Sequence, residues 1–287
     1  MNDRPAGPAE PRVGRLPVPG ATLHYEVRGT GPLLLLIPGG AGGLAVCDGL
    51  APALADRFTV ACYDPRGIGG SRLDLPGEDQ SVEVHTADAH RLIDLLSPDE
   101  PCQVFGTSSG GIVAADLLAQ HPQRVRLAVA HEPPLARALP EPGPALAAFS
   151  EIRDIAVRDG VGPAYRRMGT AMGEAEPVDP AEDEAEAAPM PDRLRATVGT
   201  SSAHFLRHVL KPFTHHAPDP ARLKAVADRL VVAVGRTSRG QLPHTLATAL
   251  ARTVGAECRT FPGGHLGSVE HPDAFARALR ATLSSNR

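Results

Sequence analysis

Gln103-Val104-Phe105-Gly106-Thr107-Ser108-Ser109-Gly110-Gly111-Ile112-Val113 passes within a few residues from an apolar run, through a turn rich in glycine, into a second apolar run. The first run reads as a strand over residues 103–105 and the second as a helix over residues 112–120. At the join stands Gly106-x-Ser108-x-Gly110. Glycine is needed on both sides of a serine held in a strained strand-to-helix turn, where a side chain would strike the adjacent strand and helix. Without that context the pattern is common; with it, Ser108 is a candidate nucleophile rather than a helix cap.

Outward from this turn, short apolar runs alternate with helical periodicity, and Gly or Pro marks each change. Strands are predicted at 22–27, 33–37, 58–63 and 125–130, and helices at 50–55 and 82–96. The same rhythm resumes late, with strands at 229–234 and 258–261 and helices at 243–254 and 272–283. Such alternation specifies an α/β fold, a mostly parallel twisted sheet with helices on both faces. Between the two blocks, residues 134–225 show helical periodicity and no strand, including an Ala/Pro/Glu-rich acidic stretch over 174–191. The expected organisation is a flexible tail over 1–12, a core over 13–133 and 226–287, and a helical cap over 134–225.

A serine at neutral pH needs a base to take its proton and a carboxylate to orient that base. His265, in Pro262-Gly263-Gly264-His265 after the last predicted strand, is the base candidate. These residues, with Ile37-Pro38-Gly39-Gly40 and Asp64-Pro65-Arg66-Gly67-Ile68-Gly69-Gly70-Ser71, resemble the α/β-hydrolase superfamily over most of the chain outside the cap. The resemblance implies the order Ser, acid, His, with the acid usually after the strand at 229–234. Here that loop reads Gly235-Arg236-Thr237-Ser238-Arg239-Gly240 and holds no carboxylate. Glu132, ending an apolar run ahead of Pro133-Pro134, is the substitute, because strand ends of a parallel sheet share one edge. Ser108-Ser109-Gly110, His131-Glu132-Pro133 and Gly264-His265 together are similar to the zearalenone-type lactonases and related actinobacterial serine hydrolases. That narrower likeness implies a Ser-His-Glu layout and ester or lactone cleavage.

The superfamily often has His where Pro38 stands, but an oxyanion hole needs backbone N–H groups rather than that side chain. Gly40 and Ser109 are the expected donors, with Gly39 a near rival to Gly40. Asp64 and Arg66 are expected to pin their loop. The glycine runs at 39–43 and 67–70 lack the spacing of dinucleotide and P-loop motifs, and Glu182-Asp183-Glu184 lacks the ligand spacing of a calcium loop. The expected activity is therefore a carboxylic ester hydrolase or lactonase acting on a small or medium apolar substrate, with neither metal nor organic cofactor. Tyr165, Met168, Met172, Phe205 and Phe213 are the candidate pocket residues. Rival readings are a cofactor-free lyase or cyclase of secondary metabolism, and a non-catalytic binding protein.

With 287 residues, 29 Lys+Arg against 33 Asp+Glu, and 42% hydrophobic residues, the chain falls within the range of globular proteins. Its net charge of -4 gives no footprint for nucleic acid or an anionic membrane. Cys47, Cys62, Cys102 and Cys258 form no C-x-x-C pair, and no signal-like or spanning apolar segment is seen. A cytoplasmic location and a small-molecule partner are expected, with a homodimer left open.

Overall fold

The computed structural model describes residues 10–177 and 187–285. Nine strands form one sheet among them: β1 (Arg12–Val18), β2 (Ala21–Arg28), β3 (Leu33–Ile37), β4 (Thr59–Tyr63), β5 (Arg72–Leu73), β6 (Cys102–Thr107), β7 (Val125–His131), β8 (Leu230–Gly235) and β9 (Glu257–Phe261). Their order is β1-β2-β4-β3-β6-β7-β8-β9, with β5 on β2. Pairing is antiparallel at β1, β2 and β5 and parallel from β4 through β9. The helices are α1 (Leu50–Leu54), α2 (Val82–Leu96), α3 (Ser109–Gln120), α4 (Gly143–Arg158), α5 (Val161–Met172), α6 (Asp192–His204), α7 (Leu210–Thr214), α8 (Pro220–Ala225), α9 (Leu242–Val254), α10 (Gly267–Glu270) and α11 (Pro272–Ser285).

Both faces of the sheet are covered, which is why β3 is apolar at every position. Leu34 and Leu36 pack with Phe105, Val129 and Phe275 beneath α1 and α11, whereas Leu33, Leu35 and Ile37 join Val104, Ala128 and Ala130 beneath α2, α3 and α9. No described helix is long and apolar enough to cross a membrane. From β7 to β8 the described chain is helical, running through α4 to α8 with a π-helical turn at Phe205–Val209. Of the acidic stretch over 174–191, residues 178–186 lie outside the described residues, and with them Glu182-Asp183-Glu184.

The amino-terminal expectation needs correction. Residues 1–9 of the expected tail lie outside the described residues, but Arg12 opens β1, paired with Val27. This edge strand exposes most of its side chains and so shows no apolar run. Asp64 and Arg66 pin their loop through separate partners. Asp64 accepts from Leu44 N–H at 2.8 Å, Gly70 N–H at 2.8 Å and His24 Nδ1 at 2.9 Å, while Arg66 forks onto Asp88 at 2.7 and 2.8 Å. The fold also brings the buried Cys47 and Cys62 thiols to 2.8 Å, a proximity that their spacing in the chain did not reveal.

The turn between β6 and α3 explains its glycines. A Cβ at Gly106 would lie 2.2 Å from the Gly110 carbonyl oxygen, and one at Gly110 would lie 2.1 Å from that of Ile37. Both obstacles are backbone, so relief requires moving the strand or the helix. Gly110→Ala is expected to cost about 3 kcal/mol or more. Gly199→Ala, in open space within α6, is expected to be neutral or to stabilise by up to about 1 kcal/mol. Urea midpoints of the two variants check this contrast.

Candidate active site

Parallel register places the carboxyl ends of four strands side by side: Thr107 opposite His131, His131 opposite Ala233, and Gly235 opposite Phe261. The residues that follow these ends therefore meet above one edge, although far apart in sequence.

Ser108 follows β6 with φ 51° and ψ −121°, outside the favoured regions for a residue with a side chain. Its N–H donates to the His131 carbonyl at 2.8 Å, and its carbonyl accepts from Gly111 and Ile112 N–H at 2.9 and 3.2 Å. The backbone is thus held from β7 and from α3, and the Ser108 side chain does not cap the helix.

Glu132 follows β7 and is also left-handed, with φ 45°. Its N–H donates to the Ala233 carbonyl at 2.9 Å, and the residue is fully buried. Three donors converge on its carboxylate. Oε1 accepts from Gly235 N–H at 2.9 Å and from the Ser238 hydroxyl, while Oε2 lies 2.7 Å from His265 Nδ1. Burial alone would raise this carboxyl, but the His265 hydrogen bond, the neighbouring His131 and His265 rings and the Ser238 bond outweigh it and bring it down to about 2. Because an ionised carboxylate only accepts, Nδ1 of His265 carries the hydrogen and Nε2 is left as a base.

His265 stands on the loop after β9, where Gly263 is left-handed at φ 70°. Gly235 allows the β8 and β9 loops to meet, since a Cβ there would lie 2.7 Å from Gly264 Cα. Ser108 and His265 line one cavity of about 620 Å³, and both are half-buried. Ser108 Oγ has no hydrogen bond to His265 among the described residues. Behind His265, at 6.5 Å between ring centroids, His131 packs against Phe275 with neither ring nitrogen partnered; burial pushes it down to about 4.

The candidate oxyanion amides have unequal surroundings. Gly40 N–H donates to Ser109 Oγ at 3.0 Å and Gly39 N–H to Thr107 Oγ1 at 3.1 Å. These bonds staple the glycine loop to the serine turn, so an oxyanion taking the Gly40 amide must displace or share a hydroxyl. Ser109 N–H, at the first residue of α3, has no intrahelical acceptor and none elsewhere among the described residues.

Tyr165, Met168, Met172 and Phe205 line the same cavity as Ser108. The first three share a face of α5, and Phe205 opens the π-helical turn after α6. Phe213 does not belong with them. It is 2% exposed, packs edge-on against His85 with centroids 4.9 Å apart, and lines a separate, water-sized space below Gly40. Its helical periodicity marked a buried face without showing which neighbour covered it. Ser238 was missed, because only the β7 to β8 register brings it to Glu132; a hydroxyl in the loop lacking the usual acid was the sole hint. No described group of three or more His, Cys, Asp or Glu is placed to hold a metal ion.

The alpha/beta hydrolase fold model matches residues 32–167. YraK of Bacillus subtilis, an uncharacterized hydrolase, is 31% identical over 278 residues, covering 96% of this chain and 97% of the relative. The chain belongs to the α/β-hydrolase superfamily. Among solved structures, this α/β-hydrolase is similar to a thermophilic esterase from Thermogutta terrifontis, with TM-score 0.74 and 22% identity over 97% of this chain and 99% of the other. It is also similar to a hydrolase from Pseudomonas aeruginosa, with TM-score 0.64 and 27% identity over 94% and 98% of the two chains.

Proposed function

We propose that this α/β-hydrolase cleaves small or medium apolar carboxylic esters or lactones through an acyl-enzyme on Ser108. The observation that carries the proposal is the buried Glu132 carboxylate at 2.7 Å from His265 Nδ1, in a cavity wall shared with Ser108. Its likeness to a named esterase adds the fold alone at 22% identity. His265 Nε2 takes the Ser108 proton as Oγ attacks the carbonyl, and the imidazolium is stabilised by Glu132. The Ser109 N–H and, once its hydroxyl partner yields, the Gly40 N–H receive the oxyanion. His265 then protonates the departing alcohol, and water activated by the same ring releases the acid. A carboxylate nucleophile, as used on epoxides and haloalkanes, is replaced here by serine.

One observation favours a second reading: Ser108 Oγ and His265 are not hydrogen-bonded in this structure. A proton-transfer lyase or cyclase would use His265 alone, with Ser108 as a donor. Catalytic hydrogen bonds often tighten only when substrate is bound, so the hydrolase reading is preferred. Labelling with a fluorophosphonate, followed by peptide mass spectrometry, separates the two. The expected result is an adduct on Ser108, lost in Ser108→Ala together with p-nitrophenyl ester turnover. An unlabelled serine and no ester turnover would overturn the proposal.

A further inference from the structure

The cavity above Ser108 has an uneven charge. No lysine or arginine lines its described wall, and Glu270 is the only acidic residue among the lining residues. Glu270 closes α10, five residues after His265, and its backbone is held on both sides. Its N–H donates to the Leu266 carbonyl at 3.0 Å, and its own carbonyl accepts from Ala188 N–H at 2.7 Å. Its carboxylate has neither an ion pair nor a hydrogen bond among the described residues. Arg236 and Arg239, on the loop that contributes Thr237, are not part of the wall.

The remaining wall suits a cation with apolar substituents. Tyr165 and Phe205 bring aromatic rings to the cavity, and Met168 and Met172 bring polarizable thioethers. A ring face together with an unpaired carboxylate is the chemistry that receives an alkylated ammonium group, whereas a free carboxylate on the substrate would meet Glu270 with no compensating charge.

Resting on the hydrolase reading above, we infer that Glu270 selects substrates by charge: the cavity takes esters or lactones carrying a substituted ammonium group and discriminates against those carrying a free carboxylate. At separations of about 6–8 Å and an effective dielectric of about 20–40, one charge changes affinity by roughly tenfold in each direction. Cationic and anionic substrates of equal size should then differ by about 100-fold.

The experiment compares three p-nitrophenyl esters of matched length ending in methyl, trimethylammonium or carboxylate. The expected order of kcat/KM is cationic, neutral, anionic; the spread should narrow as NaCl is raised, shrink to about threefold in Glu270→Gln and reverse in Glu270→Lys. Calorimetric binding of the corresponding unreactive amides to Ser108→Ala separates this inference from the hydrolase reading. If no ester is turned over but the ammonium amide binds best, only the hydrolase reading fails. An anionic ligand that reacts or binds as well as the cationic one, or an order unchanged in folded Glu270→Gln, overturns the charge selection.

Discussion

Glu132→Gln is expected to lower kcat for ester hydrolysis by about 10³- to 10⁴-fold, with KM changed only a few-fold. The reason is the number of donors around the carboxylate. Gly235 N–H and the Ser238 hydroxyl occupy Oε1, and His265 Nδ1 occupies Oε2. A glutamine offers one oxygen and one NH₂ group. If its oxygen stays with Gly235 and Ser238, its NH₂ faces His265 and forces the hydrogen onto Nε2, the tautomer that cannot act as a base toward Ser108. If it flips, the NH₂ meets the Gly235 N–H, leaving two buried donors opposed. Either orientation removes the charge that stabilises the imidazolium. Steady-state kinetics beside a thermal melt separate a chemical from a folding defect. Near-full activity in a folded variant would move the acid elsewhere.

Why Glu132 could be found in the sequence while Ser238 could not is a matter of range. The loop at 235–240 announced a missing acid by its own composition, and Glu132 stood at a strand end before two prolines, so local pattern and sheet logic were enough. The role of Ser238 depends on the register of β7 against β8, a pairing between residues about a hundred positions apart that no local period encodes. The same distinction separates β3 from β1. A strand buried on both faces is a continuous apolar run, whereas an exposed edge strand is held by its hydrogen bonds to β2 and carries little side-chain signal. Tyr165, Met168 and Met172 share a helical face at spacings of three and four, so finding one at the cavity brought the others. Phe213 lay outside that face and was lost to the core beside His85.

The buried histidines give the second large expectation, a protein that weakens in mild acid as pH falls below about 6.5. Burial holds His131 neutral down to about 4, against the opposing charge of Glu132 and with that of His265. Burial likewise holds His85 neutral down to about 3, with Arg66 and His204 adding repulsion. Once unfolded, both rings titrate near 6.5. Their contribution to stability is therefore whole above that value and is lost as pH falls, because the unfolded chain binds two protons that the folded chain refuses. Between pH 7 and pH 5 these rings are expected to remove about 4 kcal/mol of folding stability. Glu132, held at about 2, adds its own loss only below about 4.5. His131→Phe tests the account directly, since the ring already packs between Phe261 and Phe275 and neither of its nitrogens has a partner to lose. Urea midpoints at pH 7 and pH 5 should show this variant losing about 2 kcal/mol less stability than the parent. An equal loss in both would mean that the unfolded ring, or the buried one, does not titrate where its surroundings require.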